Sequence, residues 1–330
     1  VKYSKGAEVI KLKKWAFFIF SLLQIIWLAG CAEKSYEPIE RERSFIASLN
    51  IQEPSLDFID EDGNMLATWL FDKAYSGAIL LGDDQVLLYG HQLNNIDVYT
   101  ISTGEKLYSK KVEIGTTNVY YDDNIKQFFI TNSKTNTVTS FDQEGNQLAS
   151  QQLGNYPMSM TSYRDKLYVI NFKDTKLSVL NMKDLKIEQE WPIQKSAHGI
   201  AVLEETHELW VGGHGEGSKP NSSVKKYDLT TGQLHGEIDM PLMPVGLKKT
   251  KDAVLVVSHG HNELYVADFD GHIKWQQEVG ANPFVVDQFK DYIVVAGYDD
   301  HTLYFIKDGQ KEKTVDVGKG AFQLLVREEQ

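Results

Sequence analysis

Residues 156–192 read YPMSMTSYRDKLYVINFKDTKLSVLNMKDLKIEQEWP. Four short segments can be separated in that stretch. Residues 157–160 form one strand, and Arg164-Asp165 turns the chain into a second, residues 166–170, apolar on consecutive positions. A polar loop at 171–175 leads to residues 177–180, which alternate, and residues 186–191 alternate again as a fourth strand. Consecutive apolar residues are expected where both faces of a strand are covered, and alternation where one face meets water. A helix is excluded, because no apolar run reaches about ten residues and β-branched and aromatic side chains dominate.

The same unit recurs. A turn glycine between two alternating segments stands at Gly63, Gly104, Gly145, Gly232, Gly271 and Gly309, at gaps of 41, 41, 87, 39 and 38. The gap of 87 is two periods, and residues 181–186 make the missing reversal without glycine. A period of about forty residues is that of a four-stranded β-propeller blade. Second-strand equivalents fall at 86–89, 127–130, 209–211, 254–257 and 292–295. Residues 321–326 read as a first strand without successors, and 45–49, 56–59 and 65–71 as strands two to four without a first. Joined, they make a seventh blade from both termini, so an all-β, seven-bladed propeller is expected over residues 45–330. Such closure pairs edges that would otherwise invite aggregation.

Within the blades, Gln127-Phe128-Phe129-Ile130-Thr131-Asn132 and Lys166-Leu167-Tyr168-Val169-Ile170-Asn171 resemble the YVTN repeat. Its opening Gly-x-x-Pro is matched by Gly154-Asn155-Tyr156-Pro157 and Gly280-Ala281-Asn282-Pro283. The resemblance implies a propeller and puts a loop-capping asparagine at the end of strand two, a slot that His91 and His259 are read as filling. One blade also resembles the quinoprotein-type repeat, through Ala267-Asp268 and Gly271-His272-Ile273-Lys274-Trp275.

Upstream, Lys11, Lys13 and Lys14 precede an apolar run at 15–28, too short to span a ~30 Å hydrocarbon core. A basic flank, a short apolar stretch and small residues after it read as a secretory signal. Leu28-Ala29-Gly30-Cys31 resembles the bacterial lipoprotein lipobox. That implies cleavage after a signal peptide of residues 1–30, and lipid on Cys31, the one cysteine of the chain. Two or more acyl chains suffice for stable anchoring, so the expected location is the extracytoplasmic face of the cell membrane. Residues 31–44 read as a polar tether.

The 330 residues are 42% hydrophobic and 24% charged, with a formal charge of −12. Residues 1–30 hold five lysines and one glutamate, so the remainder carries −16. That balance excludes general binding to a nucleic-acid backbone. One cysteine excludes a disulfide framework and a thiolate zinc cluster. Six of nine histidines fall in loops expected on one rim: His91, His198, His214, His259, His261 and His301. Neutral imidazoles there could hold a divalent metal, with His198, His214 and His259 as candidate ligands, or could cap loop backbone. With ordinary histidine pKa values, the rim is expected to take an acidic partner better towards pH 6. The Gly-rich insertion at 212–223 reads as a flexible loop. No nucleophile elbow, HExxH, P-loop or EF-hand spacing is present. The expected function is therefore a monomeric, surface-tethered, non-enzymatic module for a protein, peptide or glycan, without a resident cofactor. Two alternatives are a metal-dependent enzyme resembling propeller lactonases or lyases, and an envelope-assembly scaffold of the quinoprotein-repeat type.

Overall fold

A computed structural model describes residues 35–328. Residues 1–34 and 329–330 lie outside it, and with them the expected signal peptide and Cys31. The described residues contain strands and turns and no helix.

Seven four-stranded antiparallel sheets follow one another around a ring. Blade 1 is Gly77–Leu80, Gln85–Tyr89, Asn95–Thr100 and Lys106–Lys111, innermost strand first. Blades 2 to 6 begin at Thr116–Asp122, Pro157–Tyr163, Ala197–Leu203, Pro244–Lys249 and Pro283–Phe289. Blade 7 takes its innermost strand, Ala321–Arg327, from the C-terminus and the rest, Phe45–Asn50, Ser55–Ile59 and Met65–Leu70, from the N-terminus. The seam is antiparallel, with Ile46 opposite Val326 and Ser48 opposite Leu324. The seven-bladed fold closed by both termini is thus as expected from sequence.

The core explains why the second strands are continuously apolar. Buried side chains gather into seven clusters, and each draws on two adjacent blades. Between blades 7 and 1, Phe58 and Trp69 pack with Val86, Leu88 and Tyr99. Outer strands such as Lys106–Lys111 half-bury alternate residues, since only one side meets a neighbour. Six third-to-fourth-strand turns use a glycine at positive φ, and Leu185, at φ 56°, occupies that position in blade 3. At Gly232 an added Cβ would also lie 2.3 Å from the Trp191 ring.

Antiparallel order sorts the loops onto two faces. Connections between blades and the second-to-third-strand loops lie on one, here called the mouth. First-to-second and third-to-fourth-strand turns lie on the other, the base. Residues 36–43 dock on the base, which corrects the reading of that part of residues 31–44 as a polar tether. Tyr36 N–H donates to the Gly104 carbonyl (2.9 Å) and Ile39 N–H to that of Ile101 (3.1 Å). The Glu37 carbonyl accepts from Trp69 Nε1 (2.8 Å), and Arg41 pairs with Asp84 (2.8 Å). Tyr36 and Ile39 bury apolar surface that four nearby glutamates hide in a composition count.

Candidate functional site

The mouth is built by a repeated register. Pro157 pairs with Asn171, Ala197 with Gly213, Pro244 with Ser258 and Pro283 with Gly297. The residue after each of those partners is Phe172, His214, His259 and Tyr298, at one equivalent position in blades 3 to 6. The second residue of the innermost strand adds His198 in blade 4, Phe284 in blade 6 and Phe322 in blade 7. All seven side chains are half-buried.

Their rings form a contiguous series. Centroids lie 6.1 Å apart for Phe172 and His214, 5.7 Å for His214 and His259, and 4.2 Å for His259 and Phe284. Phe284 continues to Phe322 and to Tyr298, each at 5.4 Å. Tyr156 extends the other end, 6.0 Å from Phe172 and 6.5 Å from His91. His198 joins the middle, 5.6 Å from His214 with the planes at 83°.

The electrostatics of the three clustered histidines follow from this crowding. Burial pushes the His198 imidazole below its ordinary value, against the hydrogen bond from Nδ1–H to the Val245 carbonyl (3.1 Å). That bond puts the proton on Nδ1 and leaves the Nε2 lone pair free. Burial, helped by His198 and His259, pushes His214 down to about 4. His259 is lowered by burial despite the opposing charge of Asp299. All three imidazoles are therefore biased towards the neutral form, and His214 does not acquire charge near pH 6 as an ordinary histidine would. The Nδ1 atoms of His214 and His259 are buried with no hydrogen-bond partner.

The six sequence candidates divide. His198, His214 and His259 come together, whereas His91 stands at the far end of the ring series beside Tyr156, with Nε2 3.0 Å from Ser133 Oγ. His261 is exposed beside Glu263 (3.4 Å), away from the rings. His301 is held between the Tyr298 carbonyl and the Gly320 amide, at 3.0 and 3.2 Å from Nδ1. The asparagine slot of the YVTN pattern also needs correction. Asn50, Asn132, Asn171, Gly213, Ser258 and Gly297 occupy it, so His259 stands one residue beyond, as His91 stands one beyond Gly90. Asn132 shows what the slot does, donating to the Glu113 and Ile114 carbonyls and accepting from Lys134 and Thr135. The 212–223 insertion is ordered as a small hairpin, Gly215–Glu216 against Lys219–Pro220, rooted at His214.

Phe172, Phe284, Tyr298 and Phe322 were not singled out from sequence. The signal was present in the repeat: the residue after each second-strand terminus is a ring in four successive blades. Two other features lie apart from the mouth rings. Among the described residues, the group of potential metal-ligand atoms all within 4.8 Å is Asp268, Asp270 and His272. It belongs to a base turn, where Asp268 already accepts the amides of residues 270, 271 and 272. A cleft of about 500 Å³ between blades 1 and 2 is lined by Lys110, Lys111, Thr135 and Thr137 among others.

No protein-family model matches the sequence, and no curated protein is similar to it. Solved structures are. A Lactobacillus plantarum protein is 15% identical, with a TM-score of 0.71 over 86% of this chain and 98% of its own. A functionally unknown Desulfotomaculum acetoxidans protein is 8% identical, with a TM-score of 0.72 over 87% and 99%. Virginiamycin B lyase from Staphylococcus aureus is 15% identical, with a TM-score of 0.60 over 74% and 84%. What they share with this chain is the fold. Identities this low transfer no activity.

Proposed function

We propose that this chain is a lipid-anchored β-propeller that acts outside the cytoplasmic membrane as a non-enzymatic binding module, taking a protein, peptide or glycan at the ring-lined mouth. The observation that carries the reading is the unbroken series of ring contacts Tyr156, Phe172, His214, His259, Phe284 and Phe322. Half-buried rings on a rigid scaffold offer large contact area at little cost in side-chain entropy. They suit apolar side chains and the flat faces of sugars alike. Support for the anchor is the lipobox resemblance of residues 28–31 and the single cysteine.

The test places a photoreactive phenylalanine analogue at Phe172 in intact cells, with Thr103, on a base turn, as control. Adducts that form from position 172 alone and vanish with Phe284→Ala support a binding mouth. Equal adducts from both positions, or none from 172, overturn it.

A further inference from the structure

We propose that His198, His214 and His259 together bind one late first-row divalent transition-metal ion, of the zinc and copper class. The inference rests on reading the mouth as the binding face, and it names a ligand for the middle of that face.

Three observations point to it. The first is spacing. A tetrahedral ion with metal–nitrogen bonds of about 2.0–2.1 Å puts neighbouring imidazole centroids about 5 Å apart. The observed separations are 5.6 Å (His198 and His214) and 5.7 Å (His214 and His259), with planes crossed at 83° and 73°. Both separations are slightly wider than in a closed site, and the nitrogens of the three rings are not all within 4.8 Å of one another as the ligand atoms of the Asp268 group are. Closing the site requires the three rings to turn towards a common point.

The second is the Val245 carbonyl, which accepts from His198 Nδ1 at 3.1 Å. A metal-ligating histidine characteristically gives its other N–H to a carbonyl or carboxylate, which fixes the tautomer and aims the lone pair. The third is the pair of orphans. Nδ1 of His214 and of His259 are both buried without a partner. An unsatisfied buried polar atom is costly, and bonding both rings through a shared ion would reorient them and recover part of that cost.

The donor set chooses the ion. Three imidazoles and no thiolate suit zinc, copper or nickel, whereas calcium and magnesium prefer oxygen ligands. With three protein ligands a fourth position stays open at the mouth, where an electron-donating group of the incoming ligand can bind.

The experiment is equilibrium dialysis of the purified full chain in detergent against zinc chloride, with magnesium chloride as comparison. One equivalent of zinc is expected, with no magnesium. His214→Ala and His259→Ala should each weaken zinc at least tenfold, while His261→Ala and His272→Ala should leave it unchanged. If an alanine variant fails to fold, His214→Gln and His259→Gln provide the same comparison with ring-sized side chains. The proposal is overturned by the absence of stoichiometric zinc, by zinc indifferent to residues 214 and 259, or by zinc lost with His272→Ala. Adducts from position 172 that persist without zinc would leave the binding mouth standing and remove the metal alone. Zinc bound normally in a chain that gives no adducts would do the reverse.

Discussion

Tyr36 lies flat on Trp69, with ring centroids 4.9 Å apart and planes 17° apart. The same ring meets Tyr99 edge-on at 5.3 Å and Phe71 at 5.5 Å, so one residue ahead of the first strand ties blade 7 to blade 1. Tyr36→Ala is expected to cost about 2 kcal/mol, less than truncation of a fully buried aromatic. Urea unfolding measures the loss, and limited proteolysis should show residues 36–44 newly open to cleavage. Unchanged stability would mean that the segment contributes nothing to closure.

Arg327 fastens the seam from the other terminus. Its guanidinium donates to the carbonyls of Glu40 (2.6 Å), Arg43 (2.9 Å) and Asp83 (3.1 Å), and sits over the Phe45 ring at 4.4 Å. A lysine carries the charge without the fork that reaches three carbonyls. Arg327→Lys should therefore destabilise by about 1.5–3 kcal/mol, the worth of a charge-assisted buried hydrogen bond. Deleting residues 320–330 removes the innermost strand of blade 7 and should cause aggregation, read by light scattering.

Asp97 gives the fold an acid limit. It is fully buried and accepts from Lys73, Tyr75 and Asn95. Burial by itself would raise its pKa, but hydrogen bonds from Lys73, Tyr75 and Ser109 outweigh it and hold the carboxyl below its ordinary value. A depressed carboxylate contributes stability above the unfolded pKa of about 3.9 and loses that contribution as pH falls below it. Asp97→Asn should lower stability at pH 7 by about 1–3 kcal/mol, moderated by the partial exposure of Lys73. It should also flatten the decline below pH 4 in a denaturation series.

Cys31→Ala is expected to abolish incorporation of labelled palmitate and to release the chain from the membrane fraction. Retention of the variant in membranes, with label still attached, would remove the lipid anchor from the proposal.

The architecture was legible because the repeat is written in turn chemistry and strand patterning. The gaps between Gly63 and Gly309 counted the blades, and the unpaired first strand at 321–326 located the closure. The mouth was only half legible. Loop position groups His214, His259, His261 and His301 together, but a shift of one or two residues sends a side chain another way. His261 accordingly meets Glu263, while His214 meets other rings. Phe284 and Phe322 look like ordinary strand residues until the neighbouring blade is in place. The docking of residues 36–43 was illegible for a different reason. It depends on two apolar side chains and two main-chain bonds to residues more than 60 positions away, which no local pattern reports.

The docked N-terminal segment bears on which molecules can meet the mouth. Only four peptide units separate Ser35 from Cys31. Fully extended they reach about 14 Å, under half the thickness of a bilayer core. The proposed lipid on Cys31 would therefore moor the propeller on a short line. Under the proposed anchor the rings would face away from the membrane, and a ligand would arrive from solution or from opposing surfaces in preference to the lipid plane.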